Sequence, residues 1–381
     1  MKRPQPNRIK PPLTIEQRRA DALRSLDLLA PLMLFMTAAM ARLIMVVAVS
    51  YPGLDDPAFY LLVAENLAQG RGLVIDVLWN YQIPFETVTH PSNEHWMPLA
   101  SLLMAPLFAV FGANFQLAQT QGALLGASLA PITWRITRDV MEPLGSWRGY
   151  AAFAGALIAI NPLLVYQSIS ADSSTPFAIS AALALWWGAE RATRSPWFAL
   201  GAGLGAGLAY LARTEGLLLL VLLVGWVAWR AVPQLRWRQV TLVARGALAL
   251  AAPWWLRNLT AFGAPMPSSA FALAMLPDYP ALFHYGPSGF WEEFPFPNVA
   301  EFLILRFQGL AHNLTVLFIV AMFVVSLFAV VAAVRLRRRA QGCRRCGCCC
   351  RKCCRRCGCR TARTDRCAGR HACGSGSRRR Q

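Results

Sequence analysis

The sequence predicts an all-α protein, a polytopic transmembrane helical bundle of about eight spans with interfacial helices in a long first outer loop. Three observations predict it. Over half of the 381 residues are apolar, and they fall in blocks of about sixteen to twenty-three divided by short polar connections, the pattern of helices solvated by lipid. Lys and Arg alternate between rich and poor connections, as they do when loops lie on two sides of a bilayer. All 11 cysteines lie between Cys343 and Cys373, so the apolar body uses neither disulfides nor thiolate chemistry.

The net charge of +19 would ordinarily point to nucleic acid, but Arg335 to Gln381 holds 17 Lys/Arg against one Asp, which leaves +3 on the 334 residues before it. No basic patch remains there to track phosphates, and a nucleic-acid partner is excluded. Residues 1–27 read as a basic, Pro-rich cytoplasmic segment. The apolar stretch after Asp27 is too long for a signal-peptide core and lacks a small-residue cleavage site, so it reads as a retained first span.

Residues 28–335 form the membrane domain, with candidate spans at Leu28 to Val49, Gln116 to Trp134, Gly149 to Ser168, Ala171 to Glu190, Trp197 to Leu211, Gly216 to Arg230, Val240 to Leu256 and Asn313 to Val334. Residues 336–381 are a Cys/Arg-rich tail. Its Cys-x-x-Cys spacings, such as Cys343/Cys346 and Cys350/Cys353, would ordinarily indicate zinc, yet at this cysteine density they arise without selection. The tail reads better as a Leu/Ala-rich membrane segment translated out of frame, because CTG leucine codons read one base late give TGC, a cysteine codon.

Met97 to Gly112 is apolar but short, and it decides the sidedness of every later loop. If it lies on the outer surface, the Arg-rich connections (Arg135, Arg138 and Arg148; Arg191 and Arg194; Arg230, Arg236 and Arg238; Arg335 to Arg339) all face the cytoplasm with the N-terminus. If it crosses, the rule fails repeatedly. We therefore read it as an interfacial helix, which its start at Trp96 and Pro98 suits. Two long outer segments result, 50–115 and 257–312, both too long and too aromatic for idle connections.

Candidate chemistry collects there. Asp55 and Asp56 adjoin the first span at head-group depth, where a carboxylate can act as general base or hold a divalent cation. They could equally form a solvated helix start before Pro57. Glu94-His95 precedes the surface helix and can meet an anionic group, or merely anchor it. Asp172 follows Asn161-Pro162 in a turn between spans, as an intramembrane functional carboxylate or as an N-cap before Ser173 and Ser174. Arg213-Thr214-Glu215-Gly216 and Pro253-Trp254-Trp255-Leu256-Arg257-Asn258 each bring an Arg suited to a lipid phosphate, or to snorkelling. Gly201, Gly203, Gly205 and Gly207 lack a dinucleotide fingerprint and read as helix packing.

In order and spacing, these residues resemble the C-type (GT-C) glycosyltransferases, in particular the family of protein O-mannosyltransferases and aminoarabinose transferases. The resemblance runs from about Ala41 to Pro267. It rests on Arg42 late in the first span, Asp56/Tyr60/Ala64/Gly70, a His-Pro to Pro-Leu surface helix ending Phe111-Gly112, and Asp172 after an Asn-Pro. It continues with Arg213-Thr-Glu-Gly and Pro253-Trp-Trp-Leu-Arg-Asn before Phe262-Gly-Ala-Pro. It implies transfer of a sugar from a polyprenyl-phosphate donor to a lipid, glycan or protein acceptor on the extracytoplasmic face of the cell membrane. Asp56, with Asp55 beside it, is the implied base. Asp172 and Glu94 are then orienting or ion-holding groups, Arg257, Arg213 or His95 phosphate partners, and Tyr60 and Glu215 substrate-binding neighbours. Some relatives have Glu-Lys where this chain has Glu94-His95, and relatives carry further spans or an outer domain in place of the Cys/Arg tail.

A transporter or lipid flippase is the competing class, with an inactive truncated transferase as a third. A transporter would place charges at mid-span in broken helices of two matching halves. The clearest mid-span charges are Arg42 and Arg245, both read as snorkelling.

Overall fold

In a computed structural model, the structure describes residues 14–53, 55–77, 87–144, 147–267 and 299–320. It is almost entirely helical, as the apolar blocks require, and divides into two units, residues 1–298 and 299–381. By length and composition, two described helices can cross a membrane, Ser25–Ala48 within the first helix and Ala300–Ile319 in the second unit. A third candidate is a bent pair of shorter helices.

Helix α1 (Ile15–Ala48) begins inside the segment expected to be a separate cytoplasmic tail. Helix α2 (Asp55–Ala68) follows, and Gly70 and Gly72, both at positive φ, turn the chain into β1 (Val74–Ile75), which pairs antiparallel with β2 (His90–Pro91). This two-residue ladder departs from the all-α expectation. It is held by Arg71, whose guanidinium donates to both oxygens of Asp76 at 2.7 Å and to Asn66 Oδ1, while Thr89 donates to Asp76 from the other side. Arg71 is the main reason the Asp76 carboxyl is held down at about 2.

Helix α3 (Leu99–Phe111) is the stretch that decided sidedness. Thirteen residues make about 20 Å of helix, short of the roughly 30 Å hydrocarbon core. Its start packs on Tyr210, Leu211 and Ala212, while Trp96, Ala100, Met104 and Phe108 pack along α2 on Phe59, Tyr60 and Val63. Phe115, just past its end, touches that same α2 cluster. Helix α3 therefore lies along α2, with its start also reaching the end of α9.

Helices α4 (Phe115–Ala127) and α5 (Leu129–Met141) are nearly continuous, broken only at Ser128, and extend seven residues past the expected span. Helices α6 (Trp147–Ile160) and α7 (Pro162–Ile169) bend by 51° at Asn161-Pro162, because Pro162 has no N–H to continue the ladder. Asn161 restarts the helix by accepting from the Leu164 N–H at 3.1 Å.

Helix α8 (Ser174–Trp186) closes in a π turn at Trp187–Arg191. Helices α9 (Pro196–Ala212), α10 (Gly216–Arg230) and α11 (Arg236–Phe262) complete the first unit. The α9 glycines are contact points, as read. A Cβ at Gly203 would lie 2.1 Å from Val243 O, and one at Gly246 2.5 Å from Leu200 O, so α9 and α11 touch backbone to backbone. Gly205 gives a less extreme approach to Ala184 of α8, 3.1 Å from an added Cβ.

The charges sort to the two ends of these helices. At one end Arg148 binds Asp27 at 2.7 Å, Asp139 accepts from Trp186 Nε1 and pairs with Arg191, and Arg138 stacks on Trp134 and Trp147. At the other end lie Asp56, Tyr60, His95 and Arg213. Arg42 is an exception that overturns the snorkelling expectation: it is fully buried and hydrogen-bonded among helices, while Arg245 is exposed.

The second unit contains α12 (Val299–Val320). It starts fourteen residues before the expected span at Asn313, so the expected outer segment 257–312 is shorter at both ends, α11 running on to Phe262. Residues 1–13, 268–298 and 321–381, which include the Cys/Arg tail, lie outside the described residues, as does the Asp55 side chain.

The glycine contacts make a differential prediction. Gly203→Val should lower the thermal unfolding midpoint in detergent by at least about 5 °C through overpacking against α11. Gly225→Ala on α10, where an added Cβ meets nothing within 4 Å, should leave it unchanged or raised.

Candidate functional site

The first turn of α2 presents Asp56 at the surface, and Tyr60, four residues on, lies on the same helix face but buried. The Tyr60 hydroxyl is hydrogen-bonded with Ser173, and Asp56, Asp172 and Arg213 all act on it electrostatically. Burial pushes the phenol above its ordinary range, so it stays protonated and able to donate.

Asp172 and Ser173 arrive on the turn between α7 and α8. Asp172 Oδ1 accepts from the Ser174 N–H at 2.7 Å, so the helix-start reading of this residue holds alongside any functional one. Burial raises its carboxyl above the usual range, against the pull of those Ser174 hydrogen bonds and the Arg213 charge. The preceding residue, Ala171, has φ of 57°, a left-handed backbone that a residue with a Cβ adopts only under tertiary constraint.

Arg213 ends α9 and pairs with Glu215 at 2.9 Å, with a longer contact to Ser173 Oγ at 3.5 Å. Burial opposes both charges, yet the pair holds Arg213 above and Glu215 below their ordinary values. His95 stacks edge-on against Trp96, and burial pulls it down to about 4. At neutral pH it carries no charge. A neutral imidazole there can exchange a hydrogen bond with a substrate.

These groups open onto one cleft of about 720 Å³. Asp56, Tyr60, His95, Ser173, Arg213 and Glu215 supply its polar lining, while Trp96, Met97, Leu217, Leu218 and Met266 supply an apolar wall. Among the described residues the cleft thus joins five of the sequence-predicted positions. Asp172 stands behind Tyr60 and Ser173 without lining it. Glu94 and Arg257 do not line it either. The Glu94 carboxylate is 5 % exposed, with no hydrogen-bond donor beyond its own backbone, and burial raises its pKa. Arg257 donates to Leu73 O at 2.9 Å and lies over the Trp254 and Phe262 rings, where burial brings it to about 10 against the opposing charge of Glu94. The buried carboxylate and the half-buried guanidinium act on each other electrostatically away from the cleft lining.

Sequence reasoning missed the apolar wall, Ser173 and the Arg71/Asp76 lock. Leu217-Leu218 could have been flagged as apolar residues directly after a predicted outer charge pair. Among the described residues no three His, Cys, Asp or Glu side chains come together as a metal-ligand set.

No protein family, curated protein or solved structure matches the chain.

The lowered His95 pKa has a sign that can be tested. Unfolded histidine takes a proton below about 6.5 and the folded residue only below about 4, so protons in that window favour the unfolded state. The stability contribution of His95 is present above pH 6.5 and falls away as pH drops to about 4. Thermal melts of wild type and His95→Gln across this range should converge or cross as the pH is lowered, and a constant difference would contradict the assignment.

Proposed function

We propose that the chain is a membrane glycosyltransferase that moves a sugar from a polyprenyl-phosphate donor to a lipid, glycan or protein acceptor on the extracytoplasmic face. The observation that carries the reading is the composition of the cleft: an exposed carboxylate, a guanidinium and a buried phenol share one cavity with an apolar wall at the end of a helical bundle. That set suits a substrate with a sugar, a phosphate and an isoprenoid.

The chemistry follows from placement. Asp56 takes the proton of the acceptor nucleophile as the new bond to the anomeric carbon forms. The bond from that carbon to the phosphate oxygen breaks, with inversion, and the developing phosphate charge is met by Arg213. Tyr60 and neutral His95 offer hydrogen bonds to sugar or phosphate oxygens. Asp172 orients Ser173 and Tyr60 from behind. Replacing Asp56 by Asn should lower transfer from labelled polyprenyl-phosphate sugar by at least about 10³-fold while membrane expression is unchanged. Full activity in that variant removes the assignment.

In the same reading α1, α4–α5, α6–α7, α8, α9, α10, α11 and α12 each cross the plasma membrane, the N-terminus is cytoplasmic, and α3 lies on the outer surface. Support comes from the shortness of α3 and its packing along α2, and from the Arg-rich opposite end of the helices. Glu142 is exposed at that opposite end. In a full-length chain with its 11 cysteines changed to serine, Glu142→Cys should resist a membrane-impermeant maleimide in intact cells and react after permeabilisation. Labelling in intact cells would invert the topology.

A further inference from the structure

Arg42 is a fully buried side chain within an apolar helix long enough to span a membrane. Its Nη1 donates to Ala38 O and Ala159 O, both at 3.0 Å, and its Nε donates to Ser168 Oγ at 3.1 Å. Ser168 in turn donates to Leu164 O. One guanidinium thus ties α1 to the last turn of α6 and to the end of α7. The Ala159 carbonyl is available because the chain bends by 51° at Asn161-Pro162, and carbonyls before such a break lose their helical donors.

The surroundings are shaped for this contact. A Cβ on Gly126 of α4 would fall 2.0 Å from Ser168 Oγ and 3.1 Å from Arg42 Nε, and one on Gly122 would fall 2.2 Å from Ser168 O. Only glycine lets α7 seat here. No carboxylate is bonded to Arg42, and its Nη2 finds no acceptor. A buried charge so incompletely satisfied is unfavourable, and a well-packed hydrocarbon of similar size is commonly neutral or better for stability. What the guanidinium adds is direction: one bond to α6 and one to α7 fix the angle between them, while the third, to Ala38 O, anchors the group to α1.

The short α7 leads, three residues past its end, to Asp172, and then to Ser173, which contacts Tyr60 and Arg213. We infer that Arg42 is a positioning residue for the cleft, setting Asp172 and Ser173 against Tyr60 and Arg213 by fixing the α6–α7 bend. The catalytic part of this inference rests on the transferase reading, and the structural part does not.

The test uses the full chain in lipid nanodiscs. Hydrogen exchange of the backbone amides of residues 165–173 should accelerate by about tenfold or more in Arg42→Met, with the α9 amides 199–209 unchanged. Arg42→Lys, which keeps a donor and the charge, should restore most of the protection. Transfer should show a fall in kcat of about tenfold with donor KM within about twofold, again recovered by Lys. Unchanged exchange over 165–173 in monodisperse Arg42→Met, or acceleration spread equally through α9, overturns the inference. Should Arg42→Met not be recovered folded, Ser168→Ala removes the α7 acceptor of Arg42 together with the hydroxyl's own bond to Leu164 O: local acceleration is then the expected result, and none the overturning one. If exchange responds as expected but the wild-type chain transfers no sugar, the positioning role stands and the transferase reading falls.

Discussion

The arrangement depends most on α3 lying along α2. The contact is an aromatic and aliphatic seam, with Phe59 and Trp96 ring centroids 4.2 Å apart and Ala100, Met104 and Phe108 filling the rest, pinned by the Ser101 hydroxyl donating to Tyr60 O at 2.9 Å. Helix α3 is laid against α2 over most of its length, and its start also reaches the end of α9. Asp56, His95 and Arg213 are consequently delivered to one cleft from three separate stretches of chain. Burial of this seam, at roughly 25 cal/mol per Å² of apolar surface, holds polar groups that have little cohesion among themselves.

Much of this was legible in the sequence because two signals are local. Apolar blocks mark helices solvated by other helices or lipid, and every block in residues 28–256 became helix. Asp56 and Tyr60, four apart, had to share a helix face, and Arg213 and Glu215, two apart in a turn, had to meet. Ends were less legible. Helix α12 starts at Val299, with Glu301 in its first turn, although the span read from the sequence begins at Asn313. Helix α5 runs seven residues beyond Trp134 because Arg138 and Asp139 find partners on α6 and α8 that no local pattern announces.

The site was legible as a set of residue types on one side, but not as a geometry. Glu94 and Arg257 looked like surface groups facing a ligand, yet they act on each other away from the cleft lining, because residues 92–97 fold inward against α9 and α11. Arg42 looked like a snorkelling arginine, since in sequence nothing shows that a proline bend leaves it an acceptor 117 residues away or that α4 glycines make room for the contact. The Arg71/Asp76 lock was missed because its charges are five apart in an apparently irregular segment.

Two residues other than glycine have positive φ among the described residues, and each immediately precedes a buried or half-buried acid of the site: Asn93 before Glu94, Ala171 before Asp172. Asn93 is compensated locally, accepting from Ser92 Oγ at 2.7 Å and donating to Trp96 O at 3.1 Å. Ala171 has no polar side chain to do this, and a left-handed alanine costs about 1–2 kcal/mol. It is 6 % exposed and packed with Tyr60, Ala100 and Ala118, so the α2–α3 seam clamps the turn from one side while Arg42 and Ser168 hold α7 from the other. A strained turn fixed from two directions can present Asp172 and Ser173 in only one way. Such rigidity keeps Asp172 and Ser173 aligned with Tyr60 and Arg213 at the edge of the cleft.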